Sequence, residues 1–182
     1  MKMRTNVLFE DNNSLGKEAT TNPLQYIPNS GEFLWYIENW ETKKKRVQNG
    51  LETSIYSSPF YTHKNGYKMC LRLEFRGQLS AEDTCLSLYL CIMRGEFDNI
   101  LQWPFRHEVR LDLLNQETGV PHVSKIVNTL SNTFSKTWNK PITDINNGFC
   151  FYEFIKMSEL SSNSALCKGN KIIIKATSTT KP

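Results

Sequence analysis

Side chains able to do chemistry are few in this sequence, and they are spread thin. His63, His107 and His122 stand far apart, and none shares a spacing with cysteine or carboxylate that suggests zinc. Neither a Gly-x-Ser-x-Gly elbow, a phosphate loop nor a Gly-x-Gly-x-x-Gly turn occurs. The histidines therefore read as turn or surface residues, and the sequence argues against an enzyme and against a cofactor or metal. The cysteines are five, an odd number, with no Cys-x-x-Cys pair. Four lie in apolar runs, where a thiol behaves as a small hydrophobe. That usage suits a reducing compartment and argues against a disulfide framework.

One charged residue stands out by its setting. After a Lys64-Asn65-Gly66 turn, Tyr67, Met69, Leu71, Leu73 and Phe75 alternate with Lys68, Cys70, Arg72, Glu74 and Arg76. A period of two marks a half-buried strand with one apolar and one wet face. Asn-Gly reaches positive φ cheaply, so the chain can reverse just before the strand. Arg72 thus lies between Cys70 and Glu74 on a face the core does not need. Read from the residues alone, such a residue is a solvated charge.

The elements that must position it are strands. The chain has 182 residues, 39% hydrophobic and 12% aromatic, enough for one domain with a real core. A net charge of +4 gives no argument for nucleic acid, and no apolar run is long enough to enter a membrane. Residues 1–30, polar and broken by Pro23 and Pro28, read as a flexible lead-in to a domain over 31–182. Their sequon at Asn12 is idle without a secretion signal. Strands are expected over 33–40, 67–76, 84–93, 108–114, 120–130, 149–155 and 171–177, with 84–93 central because both its faces are apolar. Lys43-Lys44-Lys45-Arg46 reads as a solvated hairpin loop, since no aromatic platform accompanies it. Trp103-Pro104-Phe105 reads as a plug over one end, and the only helical turn expected is at 98–101. About eight short strands separated by turns indicate an antiparallel sandwich.

The pieces FLWYIENW, YSSPFYT, GYKMCLRL, MRGEFDNILQWPF, VRLDLLNQ, GFCFYEFIKMSEL and KGNKIIIKA occur in that order. Together they resemble the C-terminal (TRAF-C, or MATH) domain of tumour-necrosis-factor-receptor-associated factors, over about residues 31–178. The resemblance implies an all-β, antiparallel eight-stranded β-sandwich. It also implies a cytoplasmic signalling adaptor in TNF-receptor and Toll-type (NF-kB, JNK) signalling, binding receptor or adaptor tail peptides by edge-strand addition. In the branch that recognises Pro-x-Glu-x-x-aromatic/acidic peptides, Arg72 matches the arginine that meets the final aromatic or acid. Phe149 and Phe151 match the proline pocket, in the segment Asn147-Gly148-Phe149-Cys150-Phe151. That branch has tyrosine where Phe151 stands and lysine where Asn147 stands. The amides of Lys136 and Thr137 match those that hold the glutamate. The branch reading Pro-x-Gln-x-Ser/Thr has three serines where this chain has Ser135, Lys136 and Thr137, and a tyrosine where it has Glu74. Read from the residues alone, Phe149 and Phe151 are equally well core filling. Two other roles fit the resemblance, a substrate-recognition module of a ubiquitin ligase and a truncated competitor of full-length factors. With no coiled coil before Gly31, the chain is expected to be monomeric.

Overall fold

Strict alternation at residues 67–76 does build the strand that the rest of the molecule packs around. The structure is a computed structural model and describes residues 31–76, 84–129 and 136–179. The lead-in, its sequon at Asn12, and Ser135 lie outside these residues. In chain order the elements are β1 (Glu32–Glu38), α1 (Trp40–Gln48), β2 (Ser54–Tyr56), β3 (Phe60–Tyr61), β4 (Lys68–Arg76) and β5 (Cys85–Met93). They are followed by β6 (Glu108–Leu114), β7 (Pro121–Asn128), a 3₁₀ turn (Lys136–Trp138), β8 (Phe149–Lys156), α2 (Met157–Ser162) and β9 (Lys171–Thr179).

All pairings are antiparallel, and two sheets result. One runs β1-β9-β6-β7. The other runs β2-β4-β5-β8, with β3 also on β4. Inner faces supply the core: Trp35, Ile37, Ile172, Ile174, Val109, Leu111 and Leu113 from the first sheet, and Met69, Leu71, Leu73, Leu86, Leu88, Leu90 and Ile92 from the second. The expectation that β5 is central holds, since it pairs with both β4 and β8. The expected plug is present too. Phe105 is buried, its amide donates to the Trp138 carbonyl at 2.8 Å, and Tyr67 meets Trp103 and Phe105 edge-on.

Three expectations are corrected. Nine strands are present among the described residues, not eight, because the segment between α1 and the Lys64-Asn65-Gly66 turn contributes two very short strands. β2 and β3 lie end to end along β4, separated by Ser57-Ser58-Pro59. The basic run Lys43–Arg46 is not a hairpin loop; it lies on α1. Trp40 and Val47 are its buried residues, and the start of the helix is held from far away: Trp40 N–H donates to the Asn170 carbonyl (2.9 Å), and Glu41 N–H to Asn170 Oδ1 (2.8 Å). A second short helix, α2, buries Met157 and Leu160 after β8. No helix among the described residues is long and apolar enough to cross a membrane.

Candidate functional site

Outer-face residues of the second sheet line up in rows across its strands. The register places Tyr56 of β2 opposite Arg72 of β4, Arg72 opposite Tyr89 of β5, and Tyr89 opposite Cys150 of β8. Because opposed side chains lie on the same face, within contact distance, the Arg72 guanidinium is caught between two rings. Its central carbon is 3.9 Å from the Tyr89 centroid and 6.0 Å from that of Tyr56. Glu74, two residues along the same face, brings Oε1 to 3.2 Å from Arg72 Nε. Arg72 is therefore not the solvated charge that a wet strand face suggests, but a half-buried, stacked and ion-paired group. Burial alone would lower its pKa; hydrogen bonding to Tyr56 and the Glu74 carboxylate outweigh this and raise it. It stays cationic throughout.

The next row is Cys70 opposite Cys91, with Gly148 beyond. A Cβ at Gly148 would lie 2.5 Å from Cys91 Sγ, 3.0 Å from the Leu90 carbonyl oxygen and 3.2 Å from Tyr89 Cβ. Close approach of β5, not positive φ, is what demands glycine here. Asn147 before it is exposed.

Phe149 and Phe151 lie on the opposite side of the same sheet. Phe149 faces Leu90 and Phe151 faces Leu88, both inner-face residues. Both rings are half-buried at the rim of the core. Phe149 stacks on buried Trp138 at 5.7 Å and meets Phe151 edge-on at 5.2 Å. The structure thus brings Phe149, Phe151 and Trp138 together, and separately brings Arg72, Tyr89 and Tyr56 together. The sheet stands between the two groups, and β8, the last strand of its sheet, gives them a common edge.

Lys136 is exposed and Thr137 half-buried on the 3₁₀ turn. Asn146 ties this turn to the approach of β8. Its Nδ2 donates to the Thr137 carbonyl (3.1 Å) and the Asn139 carbonyl (2.8 Å), while its N–H donates to the Ile92 carbonyl (2.9 Å). The sequence reading missed Tyr56 and Tyr89 as partners of Arg72. Only the strand register discloses them, although Tyr89 already carried the right parity within its own strand.

Two packed antiparallel sheets define the class: a β-sandwich domain. The family description TRAF/meprin, MATH domain matches residues 52–175, and the chain belongs to that family. It is 35% identical over 147 residues to TNF receptor-associated factor 5 of Mus musculus, covering 80% of this chain and 26% of the relative. It is 35% identical over 156 residues to mouse TNF receptor-associated factor 1 (85% and 37%) and 32% identical over 146 residues to human TNF receptor-associated factor 2 (80% and 28%). The chain therefore spans only about a quarter to just over a third of the length of these relatives. Among solved structures, Notothenia coriiceps TRAF5 superposes with a TM-score of 0.73 at 28% identity, covering 85% of this chain and 75% of that one.

Proposed function

We propose that this domain binds short extended peptides from receptor or adaptor tails, which add along β8, as part of a cytoplasmic adaptor in TNF-receptor or Toll-type (NF-kB, JNK) signalling. The observation that carries the reading is the row Tyr56–Arg72–Tyr89–Cys150, which runs from a half-buried cation on β4 across β5 to the edge strand β8. In strand addition, backbone hydrogen bonds give affinity and side-chain contacts give choice. The peptide favoured is of the Pro-x-Glu-x-x-aromatic/acidic type. Phe149 and Phe151 would receive the proline, the amides at Lys136 and Thr137 the glutamate, and Arg72 the last residue, with Asn147 and Gly148 flanking the track. Because Glu74 already engages the Arg72 guanidinium, an aromatic last residue is favoured over an acidic one. A ring gains from a cation without displacing its carboxylate partner.

Calorimetric titration of Pro-x-Glu-x-x-aromatic, Pro-x-Glu-x-x-acidic and Pro-x-Gln-x-Thr peptides tests this. The aromatic-ended peptide should bind most tightly, and Arg72→Ala should weaken it by about 0.5–2 kcal/mol, the worth of a cation–aromatic contact. A melting curve for each protein separates lost contact from lost fold. Equal affinity of wild type and Arg72→Ala would remove Arg72 from the site. Failure of the wild type to bind any of the peptides would overturn the reading.

A further inference from the structure

The geometry points to Cys70 and Cys91 as a cross-strand dithiol that closes to a disulfide when the domain meets hydrogen peroxide. The two residues are direct partners in the β4–β5 ladder. Directly opposed residues of an antiparallel pair have Cα atoms about 4.5 or 5.5 Å apart, according to the kind of pair. Both values lie inside the roughly 4.4–6.8 Å that a disulfide spans. The bond therefore needs only a small local approach of the two strands. Side-chain parity agrees, since both thiols point to the outer face, in one cluster with Tyr89 under Met93, Ile145 and Cys150. Thiols opposed in this way can close onto each other, and no other two cysteines face each other in the strand register of the described residues. Cys85 stands opposite Arg76 and Lys156, Cys150 opposite Tyr89, and Cys167 lies outside the strands.

The two thiols are not equivalent. A hydrogen bond from Cys91 pulls the Cys70 thiol down against the effect of burial, and the nearby Arg72 adds to the lowering. The same hydrogen bond and burial push the Cys91 thiol up. The thiolate is the reactive form, and the Arg72 cation on the same strand face favours it at Cys70. The Cys70 sulfur attacks one oxygen of hydrogen peroxide, the O–O bond breaks, and the departing hydroxide takes up a proton as water, leaving Cys70 as a sulfenic acid. The Cys91 sulfur then attacks the Cys70 sulfur, the S–O bond breaks, and a second water leaves with the Cys91 proton. Two thiols lose two electrons in all, and one peroxide becomes two waters. Directly opposed Cβ atoms are set slightly wider than a disulfide prefers. The bond is therefore of the strained, readily reduced kind rather than a permanent staple. None of this depends on whether Arg72 meets a peptide.

The test is thiol mapping of the whole chain. Fully reduced protein, with its five thiols, is exposed to hydrogen peroxide without added thiol, then unfolded, alkylated and digested with trypsin. The expected product has lost two alkylatable thiols. It carries the peptide Met69-Cys70-Leu71-Arg72 linked to the peptide 77–94, and dithiothreitol reverses the link. That second peptide contains Cys85 as well as Cys91, so variants decide between them. Cys85→Ser and Cys150→Ser should keep the link, and Cys91→Ser should abolish it. Five alkylated thiols after exposure, a link that survives in Cys91→Ser, or a link from Cys91 to Cys150 would each overturn the proposal.

Discussion

Replacing Gly148 by alanine places a methyl carbon 2.5 Å from Cys91 Sγ, 3.0 Å from the Leu90 carbonyl oxygen and 3.2 Å from Tyr89 Cβ. Two of these atoms belong to the central strand at positions fixed by the backbone, and cannot turn away. Cys91 is buried, so a methyl carbon at Gly148 finds no empty space beside its sulfur. Overpacking of a tight site costs about 1–3 kcal/mol, and rigid neighbours put Gly148→Ala in the upper part of that range. A loss of about 2–3 kcal/mol lowers the melting temperature of a domain this size by roughly 4–12 °C. Since the shortest contact is to the sulfur, Cys91→Ala should relieve part of the clash, while the Leu90 oxygen keeps relief incomplete. Thermal melts of wild type, both single variants and the double variant form a cycle, with an expected coupling of about 1 kcal/mol or more in the direction of rescue. A Gly148→Ala melt equal to wild type, or strictly additive effects, would refute the claim that close approach of β5 dictates glycine here.

The cation–aromatic row is testable by a second cycle. Tyr89→Leu and Arg72→Ala should couple by about 0.5–2 kcal/mol in urea unfolding, and additivity would mean that the stacking carries no energy. Asn146→Ala removes two side-chain hydrogen bonds holding the 3₁₀ turn to the approach of β8. It should cost about 1–3 kcal/mol and speed amide exchange between residues 136 and 148; unchanged exchange there counts against the tie. His107 lies against Phe105 and Tyr67 with Nδ1 buried and unpartnered, and burial, with His63 nearby, lowers its pKa. A histidine with a depressed native pKa binds fewer protons folded than unfolded. Stability is thus intact above the unfolded value of about 6.5 and falls as pH drops from there towards the native one. Urea melts between pH 7.5 and 5 should show that loss in wild type and a shallower one in His107→Phe; equal slopes would clear His107.

What could be read in the sequence follows from which interactions are local. The β4 alternation depends only on a residue's own strand, so its inward set Tyr67, Met69, Leu71 and Leu73 was legible, as was the two-sided apolarity of β5. Helix α1 was not, because its start is bound by Asn170, 129 positions away, and only Trp40 and Val47 give it a buried face. β2 and β3 are too short to show a period, and they become strands by pairing with β4. Arg72, Phe149 and Phe151 were each plausible as binding residues. The outward direction of the arginine follows from the alternation of β4, but that the phenylalanines face inwards depends on the register of β8 against β5, a relation no single stretch encodes. Tyr56 and Tyr89 escaped notice for the same reason.

The larger sheet ends very differently on its two sides. Beyond β4 lie only three and two residues of strand, broken by Pro59. Between them Ser57 Oγ accepts the Leu71 N–H (2.9 Å), and the Ser57 N–H donates to the Leu71 carbonyl (2.9 Å). A foreign chain has almost no template there, which is how soluble proteins blunt an edge against uncontrolled growth. The opposite edge is β8, eight residues long. It is roughened only by a bulge in which the step from Phe151 to Ile155 spans Leu88 to Leu86. Within this sheet a foreign strand therefore finds a long template on one side alone. A segment settled along β8 would close that side, and with the other edge already blunted the sheet could then grow no further.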